Sequence, residues 1–337
     1  MTDKLEPVVI FRLGSLGDTV VALPCFHAIM RAFPDRERLV LTNVPVSSKA
    51  AALEIILSAG GFIHGAIDYP VGLRSIGGLW RLFLRLRATK AKTLVYLSPV
   101  RSAKAISRDR LFFRICGFRR FIGVPYNEDL RVNRVDPTTQ EVEPEAERLA
   151  RNMAVLGPID LEDAANWDLL LTSSERQAGS RSLEAVSGGR FIAINLGGKA
   201  IEKDWGDDNW RELIARLARS SNVPGLVAVG AQEDFARSAT VLERWSGPVA
   251  NLCGMLTPRE TSAALAKACL FIGHDSGPLH LANASGTHTC GLFGDYNHPK
   301  QWHPYGDGDR SIHEMQGIRA IAVERVFETA MALLEEQ

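Results

Sequence analysis

Gly273-His274-Asp275-Ser276-Gly277-Pro278-Leu279-His280-Leu281-Ala282-Asn283-Ala284 holds a strand end, a tight turn and a helix start in one short stretch. The apolar run before it, Ala268 to Ile272, reads as a buried parallel strand. Pro278 suits a first helical turn, where its missing N–H costs nothing. Asp275, Ser276 and Gly277 then stand at the carboxyl end of a strand, just ahead of the free N–H groups of a helix. Those N–H groups and the helix dipole make an anion site. Ligands of open α/β sheets bind at this edge. A phosphate-bearing ligand is the first expectation. The plainer alternative is that Ser276 only caps the helix and Asp275 only braces the turn.

Outward from this stretch, short apolar runs alternate with helical patterns. In the first half the strands are expected at Val8–Leu13, Leu39–Thr42, Ile63–Tyr69, Thr93–Leu97 and Arg120–Val124, with helices near Thr19–Ala32, Ser48–Ser58, Gly78–Lys90 and Ser102–Cys116. The pattern then restarts. Strands follow at Phe191–Leu196, Gly225–Val229, Val249–Leu252, Leu270–Gly273 and Thr287–Phe293, with helices near Asn209–Ser220, Asp234–Trp245, Pro258–Ala268 and Pro278–Ala284. Such alternation means parallel sheets with helices on both faces. Its repetition predicts an α/β protein of two Rossmann-like, doubly wound domains facing across a cleft. The expected spans are 1–165 and 175–319, with the join between Leu156 and Gly189, where a strand at Trp167–Leu171 is conceivable. A last helix, about Ala320–Glu335 within 320–337, is expected to pack back towards the N-terminal domain.

Composition narrows the function classes. At 337 residues the chain exceeds what one core usually supports. Lys+Arg and Asp+Glu are both 39, so nothing suggests bulk attraction to nucleic acid. No apolar run approaches the roughly 20 residues needed to span a bilayer. Met1 to Pro7 is charged and leads into a strand, unlike a secretory signal. The five cysteines are scattered without a C-x-x-C pair, as expected of reduced core residues in a cytoplasmic protein, and no zinc signature is present.

Four further stretches could carry chemistry. Gly14-Ser15-Leu16-Gly17-Asp18-Thr19 is a glycine-rich strand-to-helix turn, but not the dinucleotide fingerprint, and the second strand ends in Thr and Asn rather than an acid. Asp18 sits at a helix start, where it can serve as cap, as general base, or as both. In Asn195-Leu196-Gly197-Gly198-Lys199-Ala200-Ile201-Glu202-Lys203 the glycines admit close backbone approach, and Lys199 and Lys203 offer mobile cations to phosphate. Glu233 or Asp234, after Gly230-Ala231, could accept hydrogen bonds from ribose hydroxyls or cap the next helix. The loop with Tyr296, His298, Trp302 and Tyr305 suits sugars and bases, and equally suits a rigid structural loop.

As a set these residues resemble glycosyltransferase family 9, the ADP-heptose:lipopolysaccharide heptosyltransferases, over nearly the whole chain. The resemblance rests on Leu13-Gly14-Ser15-Leu16-Gly17-Asp18 with Leu23-Pro24, on Lys203-Asp204-Trp205 ahead of Asn209-Trp210-Arg211-Glu212-Leu213, and on Gly230-Ala231. It rests further on Asp275-Ser276-Gly277-Pro278-Leu279-His280-Leu281-Ala282 and Gly291-Leu292-Phe293-Gly294. It implies the GT-B architecture and inverting transfer from a nucleotide sugar, without a bound metal or other cofactor. The implied donor is ADP-heptose, and the implied acceptor is a lipopolysaccharide core or related surface glycolipid. By position it implies Asp18 as general base and Lys203 as the balance to diphosphate charge. It implies a ribose contact from Glu233 or Asp234 and a diphosphate held by Ser276, Gly277 and the helix start at Pro278. Asp275 and His280 would lie near the donor. Gly17, Asn195, Gly197 and Lys199 complete the donor-side candidates; Ser15, Arg101, Tyr296 and His298 are the acceptor-side ones.

The sequence Asp295-Tyr296-Asn297-His298-Pro299 departs from the Pro-Thr-Asp-Pro type expected after Gly294, which bears on the acceptor and the donor sugar. The arginines between Arg81 and Arg120 could face anionic lipid or acceptor phosphates, at the cytoplasmic face of the inner membrane, or form solvated helix faces. Two other functions fit the same folds. One is a sugar-nucleotide epimerase or hydrolase, which would need its own acid/base set. The other is a non-catalytic protein that binds a nucleotide or sugar phosphate.

Overall fold

The computed structural model describes residues 5–43, 53–70, 76–186, 188–198 and 200–336. They form two units, Met1–Asn166 and Trp167–Gln337, each built on its own parallel sheet. The expected helix near Ser48–Ser58 lies partly outside the described residues, as does Lys199.

In the first unit the strands are β1 (Val8–Phe11), β2 (Arg38–Asn43), β3 (Gly65–Tyr69), β4 (Thr93–Tyr96) and β5 (Arg120–Ile122). Their order is β3-β2-β1-β4-β5. The chain winds outward from β1 to β3, then returns to lay β4 on the other side of β1, with Val8 beside both Arg38 and Thr93. β1 and β4 are buried throughout, which explains their unbroken apolar character. The helices Ile76–Ala88 and Ala103–Ile115 send Leu82, Leu86, Ile106 and Phe113 into one core with Val9, Phe11 and Leu94, so both cover the same face of the sheet.

The second unit repeats this plan with β6 (Phe191–Asn195), β7 (Gly225–Ala228), β8 (Val249–Asn251), β9 (Leu270–His274), β10 (Thr289–Phe293) and β11 (Ile312–His313). The order is β11-β10-β9-β6-β7-β8, and Asn195 of β6 pairs in register with Gly273 of β9. The strand order reverses between β6 and β9, as it does between β1 and β4. Both reversals open a crevice at the strands' carboxyl ends.

Several elements differ from the sequence expectation. The helix expected near Thr19–Ala32 is two helices, Leu16–Val21 and Leu23–Ala32, because Pro24 has no N–H for the continuing ladder. Residues 167–171 form no strand. The closing helix, Val323–Glu335, puts Val326, Ala330 and Leu333 into the core of the second unit, against the helix Asp207–Ser220. Its apolar face completes the covering of β9 and β10.

The first unit also buries charge. On the helix Glu145–Met153, the Glu145 carboxylate accepts Nε of Arg148 at 2.8 Å and Nη2 at 2.5 Å, with both side chains 1% exposed. Arg148 also donates to the Ser98 carbonyl at 3.1 Å, tying this helix to the end of β4. Arg12 is fully buried nearby, within the field of Glu145 and Arg148. Removing one partner of a buried ion pair leaves the other uncompensated. Glu145→Leu is expected to cost about 3–5 kcal/mol in urea unfolding, and Glu145→Leu/Arg148→Met to recover most of that loss. A double variant no more stable than the single one would show that the pair itself is not what the site requires.

Candidate active site

The second unit assembles most of the candidate residues at the β6/β9 crevice. Asn195 ends β6, and its Nδ2 donates to the Val229 carbonyl at 2.9 Å. This leaves Oδ1 to accept the Ser276 hydroxyl at 2.9 Å. Ser276 is the N-cap of the helix Gly277–Ala284, but its side chain makes no capping bond. Its hydroxyl instead spans from β9's turn to β6. The N–H groups of the first helical turn lack intrahelical acceptors by geometry and open at this edge.

Beside them, Asp275 Oδ2 accepts Lys203 Nζ at 2.5 Å and Asn297 Nδ2 at 2.5 Å. The Lys203 ammonium also lies 4.4 Å from the centre of the exposed Tyr296 ring. Tyr296, an acceptor-side candidate in the sequence, therefore belongs to the cluster of Lys203 and Asp275. His298 stands exposed farther along the same loop, and His280 is buried one turn into the Gly277–Ala284 helix.

Lys203 comes from a short turn, Ile201–Lys203, far in sequence from Asp275. What joins them is His274. This imidazole is fully buried, and its Nε2 accepts the Trp205 backbone N–H at 3.3 Å and the Trp210 indole N–H at 3.2 Å. Trp205 and Trp210 pack edge to face at 5.3 Å, and the Trp205 indole donates to the Ile321 carbonyl at 2.9 Å. Nε2 can accept only while unprotonated, so the neutral imidazole carries its proton on Nδ1. Burial pushes the imidazole down to about 4, against the opposing pull of the Asp204 charge.

Asp204 meets Arg237 Nη2 at 2.7 Å, while Arg237 Nη1 donates to the Leu196 carbonyl at 3.0 Å and Nε to Asp207 at 2.5 Å. Burial alone would raise the Asp204 carboxyl, but the bonds from Arg237 and the Gly206 N–H outweigh it and hold it below the usual range. One guanidinium thus staples the Lys203 loop to the end of β6.

Of the two acids after Gly230, Glu233 is exposed, whereas Asp234 Oδ2 accepts the Ala231 N–H at 2.9 Å. A Cβ at Gly197 would overlap the Asp234 carboxylate, and one at Gly230 would crowd it at 2.9 Å. The two glycines are what let Asp234 stand at this edge.

In the first unit, Asp18 lies at the β1/β4 crevice. Its Oδ2 accepts the Ser15 N–H at 2.7 Å and the Ser15 hydroxyl at 2.8 Å, closing the capping box of the Leu16–Val21 helix. Gly17 lies in the first turn of that helix. Among the described residues, no hydrogen bond reaches Oδ1. Gly14, at φ +144°, packs directly against Asp18 and exchanges hydrogen bonds with Asn43. Buried Arg12 donates to the carbonyls of Asp18 and Leu97, bracing the turn across β1 and β4. Arg101 is held by the buried Asp109 carboxylate at 3.2 Å, which also takes the Tyr96 hydroxyl at 2.8 Å. Among the described residues no group of three His, Cys, Asp or Glu side chains is arranged to hold a metal ion.

No local spacing marks Asn297, Arg237, His274 or Arg12, because each depends on at least one partner distant in the chain.

Comparison with known proteins points to one family and one fold. Residues 118–324 match the model of glycosyltransferase family 9 (heptosyltransferase). The chain is 23% identical, over 92% of its length and 85% of the relative's, to the lipopolysaccharide core heptosyltransferase OpsX of Haemophilus influenzae. A glycosyltransferase family 9 structure from Veillonella parvula superposes with a TM-score of 0.72 at 19% identity, covering 100% of this chain and 99% of that one. The E. coli heptosyltransferase WaaC with ADP-2-deoxy-2-fluoro heptose superposes with a TM-score of 0.66 at 16% identity, covering 97% and 99%. The fold class is accordingly GT-B, with two Rossmann-like units.

The His274 environment has a pH signature. An unfolded imidazole titrates near 6.5. Between about 6.5 and about 4 the unfolded chain therefore takes up a proton that the folded chain refuses. The stability from this group is complete above that window and is lost as pH falls through it. His274→Gln keeps an acceptor but does not titrate. Wild-type stability relative to His274→Gln is expected to fall from pH 6.5 to 4, by at most about 1.4 kcal/mol per pH unit. Asp309, pushed up to about 6 by burial, gives the opposite slope in both proteins and cancels in the difference. Parallel urea-unfolding curves across this range would contradict the neutral, doubly accepting imidazole.

Proposed function

The chain belongs to glycosyltransferase family 9, the heptosyltransferases, and is a glycosyltransferase; we propose that it transfers a sugar, heptose by best match, from an ADP-linked donor to a lipopolysaccharide-core type of acceptor. The observation that carries the reading is the Lys203–Asp275–Asn297 cluster set beside the Ser276–Gly277 helix start. The names of the H. influenzae and E. coli proteins, one a lipopolysaccharide core enzyme and one in complex with an ADP-heptose analogue, support the same donor and acceptor classes.

The chemistry follows from the donor set. The bond between the anomeric carbon and the diphosphate breaks as the acceptor oxygen attacks from the opposite face, which inverts the configuration. Negative charge grows on the leaving diphosphate and is stabilised by groups already in place. The N–H groups at the Gly277 turn supply fixed dipoles, and Lys203 supplies a cation whose remaining N–H bonds turn to phosphate. Asp275 and the Tyr296 ring hold that ammonium in position. This set does the work of a divalent cation, so the reaction runs without one. Asp234 presents its carboxylate to the ribose hydroxyls, ahead of the exposed Glu233.

Asp18 takes the proton of the acceptor hydroxyl. Ser15 fixes its Oδ2 and leaves Oδ1 for the proton. Cap and base are thus one residue using two oxygens. Ser15 and Arg101 lie on the acceptor side. The enzyme works at the cytoplasmic side of the membrane, where a lipid-linked acceptor meets a soluble nucleotide sugar.

Asp18→Asn keeps a capping oxygen but cannot accept the proton. Transfer is expected to drop by about 10²–10⁴, with ADP-heptose binding by calorimetry within about twofold of wild type. Loss of donor binding together with turnover would contradict the base assignment. Wild-type transfer in excess EDTA is expected to be unchanged, and EDTA-sensitive transfer restored by magnesium would overturn the metal-independent reading.

A further inference from the structure

The chain is electrically neutral overall, but residues 76–120 carry twelve Lys and Arg side chains against a single acid, Asp109. Asp109 is buried and already bound by Arg101 and Tyr96. The outer surface of this segment is therefore almost purely cationic.

It is also apolar where a solvated helix would be polar. In the Ile76–Ala88 helix, Gly78, Leu82 and Leu86 recur every four residues and face the core. Ile76, Trp80 and Leu84 recur with the same spacing on the opposite side and are 86%, 58% and 49% exposed. Trp80 stacks on Phe83 at 5.1 Å, so the indole is presented on a rigid base. The Ala103–Ile115 helix covers the same face of the sheet and exposes Leu111 and Ile115, 62% and 59%. Arg87 of the first helix reaches Gly117 just beyond the second, so the carboxyl ends of the two helices lie close together.

We propose that this two-helix face of the first unit docks on an anionic lipid bilayer. The stripe Ile76–Trp80–Leu84 would enter the headgroup region, and the flanking arginines would lie along the phosphates. Charge complementarity selects the occupant. Exposed Trp and Leu flanked by Arg81, Arg85 and Arg87 is the composition of an interfacial helix surface, and the exposed carboxylate beside it, Asp68, is held by Arg85 at 3.3 Å. A protein partner would need to supply an unusually acidic face, and a nucleic acid would leave the apolar stripe unused. No helix among the described residues is long and apolar enough to cross a membrane, and the contact proposed here is with the bilayer surface. The inference deepens the membrane-side placement proposed above, but it rests on this surface and does not need the donor site.

The test is flotation of the full chain with vesicles of phosphatidylglycerol and phosphatidylethanolamine, against phosphatidylcholine alone. Wild type is expected to float with the anionic vesicles and to remain largely unbound with phosphatidylcholine. Arg81→Gln is expected to lower the partition about fivefold, and Trp80→Glu/Leu84→Glu about tenfold or more. The replaced side chains are exposed, so circular dichroism melts should match wild type. Equal flotation of wild type and Trp80→Glu/Leu84→Glu would overturn the proposal. So would absence of wild-type flotation, or a wild-type dimer that the double variant turns into a monomer without change in flotation. The thermal shift with ADP is expected to be the same in both proteins. Lost flotation with an intact ADP shift isolates the docking face, and an absent ADP shift in wild type would count against the donor reading alone.

Discussion

A neutral, fully buried imidazole holds the candidate donor site together. His274 Nε2 accepts two N–H bonds, from Trp205 and from Trp210, and both donors belong to the segment that follows the Lys203 turn. Without that acceptor, a buried indole N–H and a buried backbone N–H would both be left unsatisfied, at a cost of about 1–3 kcal/mol each. The imidazole closes the end of β9 onto the loop after β6, and only then do Lys203 and Asp275 come within 2.5 Å. Arg237 repeats the logic from the other side, joining Asp204, Asp207 and the Leu196 carbonyl. The apparently mobile cation of a charged loop is thus a fixed element of the second unit.

The first unit solves a similar problem with buried charge. Arg12 braces the Asp18 turn through its carbonyl, and the Glu145–Arg148 pair lies in the same field. Asp18 is placed by its backbone and by Ser15, which separates where the carboxylate sits from what its second oxygen can do. In both units the candidate groups collect where the strand order reverses, because only there do adjacent parallel strands send their following segments to opposite faces.

Much of this was legible in the chain. Strands such as β1, β6 and β9 are buried on both faces, so their apolar runs stand out, and the turns after them carry Gly, Asp and Ser in plain view. The Asp18, Lys203 and Asp275 stretches stand out for that reason. Other elements hide. β11 is two residues long and is defined by its pairing with Leu292 and Phe293. The Glu145–Met153 helix buries Glu145 and Arg148, so its inner face reads as surface. The Ser173–Ser182 helix is polar and packs through Gly179, which fits against Ala263 and Ala264. The place of Tyr296 on Lys203 depends on a long-range pairing that its aromatic, polar loop does not reveal. Local pattern reveals what a residue needs from its own element, and it is silent on partners supplied by another.

The central claim is that Lys203, held by Asp275, serves the diphosphate of a nucleotide donor. Titration calorimetry of ADP and of adenosine, with wild type and Lys203→Ala, tests it most directly. Lys203→Ala removes a cation and leaves the Asp275 carboxylate facing the phosphates, so ADP affinity should fall by at least about tenfold, near 1.4 kcal/mol. Adenosine affinity should be nearly unchanged. Equal losses for both ligands, or no loss for ADP, would contradict the account.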